Sequence, residues 1–271
     1  MQAVLSDHPR WSAYLREIWD YRYFWMSLVR IDLRNRYKRS VLGVGWSLLQ
    51  PIAMTSVLCF CFHAVFDIGL ADYVPLLMTG MAFWALVSGC ITDGCQTFYQ
   101  AQGYIKAERI PLAVYSLRTA LTTTLHFSIT IAVAVVVTGL FRGIESVVAL
   151  ATLLPTIALL LLFGWSLATL MAFAAVHFPD VPYLSTIGLQ ILFYLTPVMY
   201  PPSIVESRGL GDVLRFNPLG YFLQLLRDPL LTGMPASPQA YAIACALTAL
   251  TVGAALIVIR RKERQLIFSL I

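Results

Sequence analysis

Six long apolar runs, separated by short polar segments, make up most of this 271-residue chain. A helix needs about 20 apolar residues to cross the hydrocarbon core of a bilayer, which is about 30 Å thick. A soluble domain is about 25% charged and about 45–50% apolar. This chain is 12% charged and 59% hydrophobic. The sequence therefore predicts an all-α membrane protein without a sizeable soluble domain.

The apolar runs predict six transmembrane helices within a single transmembrane domain, residues 1–271. Their predicted bounds are Val41–Phe66, Val74–Phe98, Leu117–Leu140, Val147–Val176, Tyr183–Met199 and Tyr241–Ile259. Prolines lie inside the first and fourth of them, at Pro51 and Pro155. Proline removes a backbone hydrogen bond, so we expect a kink in the first helix near Leu48.

Three segments outside the spans have their own predicted structures. Residues 11–33 carry an aromatic stripe at helical spacing (Trp11, Tyr14, Leu15, Ile18 and Trp19) beside basic residues, which is typical of an amphipathic helix in the membrane interface. Residues 99–116 form a polar connector with a short helix near 104–109. Residues 203–233 contain apolar runs too short to cross, which predicts an outer re-entrant segment.

The positive charges predict the orientation of the chain. Fifteen of the nineteen Lys and Arg residues lie before the first span, in the 99–118 connector or after the last span. Cytosolic loops carry an excess of Lys and Arg. The sequence therefore predicts both termini in the cytosol. The net charge of +5 then reflects topology, and no nucleic-acid partner is predicted.

The sequence lacks the common motifs for ATP hydrolysis and zinc catalysis. None of its three lysines follows a glycine, so it has no Walker A loop, and HExxH is also absent. No metal site is predicted. The tetrapeptide GWSL occurs twice, and Ser166 of the second copy, with His126, suggests an intramembrane serine protease as an alternative. Glycine and serine more often serve close helix packing in membranes.

A block of positive charge, Arg34, Arg36, Lys38 and Arg39, runs directly into the first span. Three uses fit this pattern. The block anchors the span on its inner side, binds anionic lipid headgroups, or binds a phosphate on a substrate.

Three stretches of this sequence resemble the permease subunits of ABC-2 type polysaccharide exporters, which include O-antigen, capsule and teichoic acid exporters. They are LRNRYKRSVLGVGWSLLQP (33–51), FPDVPYLSTIGLQILFYLTPVMYPPSIV (178–205) and LRFNPLGYFLQLLRDPLLTG (214–233). The resemblance implies a homodimer in the cytoplasmic (inner) membrane, with two separate ABC ATPase subunits and a lipid-linked glycan as substrate. It places ATP and Mg²⁺ on the partner, so no cofactor is expected on this chain.

The resemblance also implies roles for individual residues. The connector would couple to the ATPase through Tyr104, Ile105, Lys106 and Arg109. The basic block at 34–39 would form the cytosolic mouth, where the substrate phosphate enters. Asn217 and Arg227 are expected at the outer gate. Aromatic faces suit a sugar path, so Trp84, Phe193, Tyr194 and Tyr200 are expected along it, although most aromatic residues of such a chain face lipid, the interface or neighbouring helices. An ABC-2 exporter of a small hydrophobic compound stays open as an alternative.

Overall fold

The computed structural model describes residues 11–37, 45–143, 146–207, 209 and 211–270, and within these ranges it contains helices, turns and no strand. In chain order the helices are α1 (Trp11–Asp20), α2 (Arg22–Tyr37), α3 (Gly45–Phe66), α4 (Leu70–Gln100), α5 (Gln102–Ala107), α6 (Ala113–Arg142), α7 (Val147–Ala151), α8 (Leu153–His177), α9 (Val181–Leu195), α10 (Pro202–Ser207), α11 (Gly211–Phe216), α12 (Pro218–Leu231) and α13 (Pro238–Leu270). The predicted all-α class is confirmed.

Four helical segments in the described ranges are long and apolar enough to cross a membrane. They are Leu70–Ala107, Ala113–Arg142, Val147–His177 and Pro238–Glu263. They coincide with the second, third, fourth and sixth predicted spans. The other two fall in α3 and α9, whose apolar helical parts are shorter (Pro51–Phe62 and Val181–Leu195). The 15 residues of α9 rise only about 22 Å, so the count of six spans stays a prediction.

The predicted fourth span is two helices rather than one. Helix α7 ends at Ala151 and α8 begins at Leu153, with Thr152 between them. Pro155 causes this break, because its ring clashes with the carbonyl four residues earlier, that of Ala151. The Thr152 hydroxyl donates a hydrogen bond to the Ala149 carbonyl at 2.6 Å and closes the last turn of α7.

Helix α4 lies at the centre of the bundle and packs against α3, α6, α8 and α12. Its contact with α8 depends on a small residue. A Cβ atom placed on Gly164 of α8 would lie 2.7 Å from the Cys90 sulfur of α4. Small residues allow helix backbones to approach closely in membranes. The glycine of the second GWSL motif therefore serves helix packing.

The predicted interface helix is two helices, α1 and α2, that meet at Tyr21 and continue to Tyr37. The aromatic stripe of α1 packs only in part on the rest of the chain. Tyr14 is buried, whereas Leu15 and Trp19 are 61% and 63% exposed. The apolar side chains of α1 are thus divided between those that pack on the bundle and those that stay exposed.

Candidate functional site

One carboxylate joins three segments at the end of the bundle that carries the connector. Glu263 of α13 accepts a hydrogen bond from the Leu112 amide at 2.6 Å and another from the Tyr14 hydroxyl at 3.0 Å. Burial, and then the carboxylate beside it, raise the pKa of Tyr14 far above its ordinary value, so its phenol stays protonated and donates. We call Tyr14, Leu112 and Glu263 the connector node. It ties α1, the start of α6 and α13 together.

An apolar cluster surrounds the connector node and holds α5 in place. Ile105 of α5 is 6% exposed and belongs to this cluster, as do Phe98, Ile110 and Ile259. Because these side chains come from α4, α5, the connector and α13, the short helix α5 is packed on the bundle. A displacement of α5 must therefore displace its neighbours.

The four predicted coupling residues divide between two faces of the connector. Ile105 points into the chain's own core, whereas Tyr104, Lys106 and Arg109 are exposed. Tyr104 is 43% exposed and meets the Phe24 ring edge-on, with 5.7 Å between the ring centroids. The three exposed coupling residues therefore comprise one aromatic ring and two cations.

The structure describes one side chain of the predicted substrate entrance, that of Arg34, which is exposed on α2. Arg36 lies on α2, but its side chain is outside the described part of the structure, and Lys38 and Arg39 are outside the described residues. The acid in the same run, Asp32, forms a two-point ion pair with Arg118 of α6. Bidentate pairs of this kind combine strength with fixed geometry. The pair fastens α2 to α6.

The four aromatic residues predicted for the path lie together. The rings of Trp84 and Phe193 meet edge-on at 5.3 Å, and those of Phe193 and Tyr194 meet at 5.5 Å. The Tyr200 hydroxyl donates to the Tyr194 carbonyl at 2.9 Å. Tyr194 is 67% exposed and the other three are half-buried. The cluster thus presents apolar rings with polar tips at the end of α9.

Asn217, predicted at the outer gate, is buried and caps α12. Its side-chain oxygen accepts a hydrogen bond from the Leu219 amide at 3.0 Å, which is the bonding of a helix N-cap. Its side-chain nitrogen donates to the Leu195 carbonyl at 3.1 Å and to the Thr196 hydroxyl at 2.9 Å. One side chain therefore starts α12 and fastens it to the end of α9.

Arg227, the other predicted gate residue, is 5% exposed in α12 and donates to three backbone carbonyls. These belong to Pro197 at 2.7 Å, Val198 at 2.8 Å and Leu76 at 3.1 Å. Burial lowers its pKa to about 10, which leaves the guanidinium charged at neutral pH. Gly80 makes room for this arrangement, because a Cβ atom there would lie 2.2 Å from the Val198 oxygen. We call these contacts the Arg227 clamp.

The serine of the second GWSL motif has the bonds of a packing residue. Ser166 is fully buried, and its hydroxyl contacts the Phe163 carbonyl at 2.7 Å and the Thr251 hydroxyl at 2.8 Å. The first bond lies within α8, and the second joins α8 to α13. They do not form the serine–histidine contact that a protease needs for its nucleophile.

Sequence reasoning missed the two acids that fasten the helices at the connector end. Asp32 lies in a run that was interpreted only for its positive charge, and Glu263 lies in the RRKER tail. Their partners, Arg118 and the Leu112 amide, are 86 and 151 residues away along the chain. A lone carboxylate inside a basic run is the one signal that the sequence offered.

A profile of the ABC-2 type transporter family matches residues 23–231, from α2 to the end of α12. An O-antigen export system permease protein, RfbA, from Klebsiella pneumoniae is 26% identical over 203 residues, or 74% of this chain and 78% of the relative. The RfbA protein of Myxococcus xanthus is 25% identical over 207 residues (76% and 79%). The polysialic acid transport protein KpsM of Escherichia coli is 20% identical over 241 residues (88% and 93%).

Proposed function

The chain belongs to the ABC-2 type transporter family, and we propose that it is the permease subunit of an ATP-driven exporter of a lipid-linked polysaccharide across the cytoplasmic membrane. One observation carries the substrate class. Relatives from three organisms align with 74% to 88% of this chain, and all are named for O-antigen export or polysialic acid transport. The four long apolar helices support a membrane-embedded subunit.

The proposed topology has six spans, with both termini in the cytosol. Helices α3 and α9 serve as the first and fifth spans, and α10 to α12 form the outer re-entrant segment. The charge distribution supports this orientation, because fifteen of nineteen Lys and Arg residues then lie on the inner side. The connector node then lies on the cytosolic side and the Arg227 clamp on the outer side.

Two separate ATPase subunits supply the hydrolysis, since this chain has no Walker A loop. We propose that they dock on the exposed face of Tyr104, Lys106 and Arg109. The packing of Ile105 supports this role, because a push on α5 passes through the apolar cluster to the node. A loose surface loop would absorb the same push.

The glycan enters beside the basic run at 34–39 and leaves past the aromatic cluster, through a path formed by a homodimer of this chain. Aromatic rings suit a sugar polymer, because they contact its apolar faces without holding any one sugar tightly. Asn217 and Arg227 keep the outer re-entrant segment in position beside this path.

Co-purification of the tagged chain with an ATPase tests this function. A Walker A protein should come with it at about one copy per chain, and its ATPase activity should rise with lipid-linked glycan. Stimulation by small hydrophobic compounds but not by glycan would favour the alternative substrate class. A chain that purifies alone, with no effect on any ATPase, would refute the exporter.

The docking face is tested by reversing its charge. The double change Lys106→Glu and Arg109→Glu should release the ATPase, since both side chains are exposed and carry the local positive charge. Arg142→Glu is the control, because it reverses one positive charge at the far end of α6, on the proposed outer side and away from the connector. Retention of the ATPase by the double variant would contradict the docking face. Ile105 is unsuitable for this test because it lies in the core.

A further inference from the structure

A polar cleft of about 280 Å³ opens between α2, α4 and α6, and neither the aromatic cluster nor the connector node uses it. Its described lining consists of four threonines, two aspartates, two side-chain amides, one arginine and one tyrosine. Polar residues inside a membrane protein are costly and mark ligand sites and pathways. The cleft has the volume of roughly nine water molecules at about 30 Å³ each, which accommodates a single sugar ring.

The threonines give the cleft a wall of hydrogen-bond acceptors. The hydroxyls of Thr97 and Thr119 pair with each other at 2.9 Å, whereas Thr122 and Thr123 donate their hydroxyl protons to backbone carbonyls of α6, both at 2.9 Å. A hydroxyl has one proton to donate and two acceptor lone pairs. With the protons used inside the helices, these oxygens are left to accept. The ligand that fits this wall must therefore donate.

The charges of the cleft favour an uncharged ligand over an anionic one. Asp32 and Arg118 neutralise each other in their ion pair, so the arginine of the described lining is already occupied. A phosphate brings negative charge and few protons, and this lining offers it neither an unoccupied arginine nor many donors. The hydroxyl groups of a sugar bring a proton each and no charge.

Tyr115 supplies the opposite kind of group. Its side chain is fully buried, lines the cleft, and its hydroxyl has no hydrogen-bond partner among the described residues. Buried polar groups in folded proteins nearly always have a partner, because leaving one unpaired is costly. Because the hydroxyl is fully buried, a ligand oxygen would accept the proton of Tyr115 after a small shift of the wall, while other ligand hydroxyls donate to the threonines.

We propose that the cleft between α2, α4 and α6 binds one neutral sugar unit of the substrate through its hydroxyl groups. This inference rests on the proposed function and deepens it. The sugar is recognised between the helices, separately from the phosphate, which the basic run at 34–39 would hold. Because the Asp32–Arg118 pair forms one wall, an occupied cleft also joins α2 to α6.

Saturation-transfer NMR on the purified full-length chain in detergent tests the site, with methyl glycosides of glucose, galactose and mannose as probes. At least one should bind saturably. Thr122→Val and Tyr115→Phe should each weaken that binding about threefold to tenfold, as expected for one lost hydrogen bond. Thr130→Val should leave it unchanged, because Thr130 lies eight residues further along α6, about 12 Å away. Equal thermal stability of the variants excludes misfolding as the cause.

Four outcomes would overturn the inference. The first is no saturable glycoside binding, and the second is equal binding by Thr122→Val, Tyr115→Phe and the unchanged chain. The other two are displacement of the glycoside by choline and tighter binding of glucose 1-phosphate. Displacement by choline would make the cleft a cation site, and the phosphate result would make it an anion site. The assay needs neither ATPase nor transport, so it can fail while ATPase co-purification succeeds, and the reverse.

Discussion

Arg227→Met should destabilise the protein substantially, because the guanidinium donates to three buried carbonyls. The Leu76 oxygen keeps a second donor, the Thr79 hydroxyl at 3.0 Å. Apart from Arg227, the hydrogen bonds that the structure describes include no donor to the Pro197 or the Val198 oxygen. A buried carbonyl without a donor costs about 1–3 kcal/mol, so two cost about 2–6 kcal/mol. Methionine also removes a buried charge, which offsets part of this loss. We expect a net loss of about 3 kcal/mol.

Thermal unfolding of the detergent-purified chain measures this loss. One kcal/mol corresponds to about 2–4 °C in Tm for a domain of 150–250 residues, so Arg227→Met should lower Tm by about 6–12 °C. Arg142→Met is the matched control. It removes an arginine that pairs with Asp72 at 3.0 Å, with side chains 27% and 59% exposed. Exposed pairs contribute about 0–1 kcal/mol, so the control should lose less than about 4 °C.

A Tm for Arg227→Met within about 2 °C of the Arg142→Met value would refute the reasoning, since it would show that the two orphaned carbonyls find other donors. Arg227→Lys separates charge from shape. Lysine keeps the charge but lacks the planar fork of donors, so we expect an intermediate loss. Full stability with lysine would mean that any buried cation satisfies the clamp.

The remaining predictions concern three other positions. Burial and a neighbouring carboxylate raise the pKa of Tyr14. Its contribution to stability is therefore fully present below the unfolded pKa of about 10 and is lost as the pH rises towards the folded pKa. Tyr14→Phe should flatten the fall in unfolding midpoint above about pH 10. Gly80→Ala should lower Tm, because its Cβ atom would meet the Val198 carbonyl at 2.2 Å, whereas Gly103→Ala, with nothing within 4 Å, should not. Ser166→Ala should retain transport at a cost of about 1 kcal/mol, and loss of a proteolytic activity in its place would revive the protease.

The sequence predicted the long helices well, because an apolar run long enough to cross a bilayer can form few structures other than a helix. It was less reliable where one proline decides the outcome. The fourth apolar run is continuous in sequence, yet Pro155 ends helix α7 about one turn earlier, at Ala151. The short helix of the connector, predicted near 104–109, is α5 at 102–107. In α12 a proline does not end the helix, because Pro229 lies inside its last turn.

The candidate site was predicted in part, for a physical reason. The resemblance to the exporter family suggested that Arg227 has a function, but it does not show which carbonyls the side chain meets, and its partners lie 29 to 151 residues away. The same holds for Ile105. A short helix shows no clear period, so its inward face cannot be read from six residues. Phe193, Tyr194 and Tyr200 were named for the path without a prediction that they contact one another, although their closeness in sequence favours such contact.

The two fastened ends of the bundle indicate which helices are free to move in the proposed transport. The Arg227 clamp holds the turn after α9 to Leu76, near the start of α4. The connector node lies beyond the other end of α4, about 37 Å away over 25 helical residues. Between them, α4 and α8 touch so closely that Gly164 has no room for a methyl group. Packed contacts of this kind resist sliding. Helix α9 instead exposes Tyr183, Ile187 and Ile191 by 57–75%. In the proposed homodimer, motion imposed at the connector should therefore repack α9 against the second copy and leave the α4–α8 contact intact.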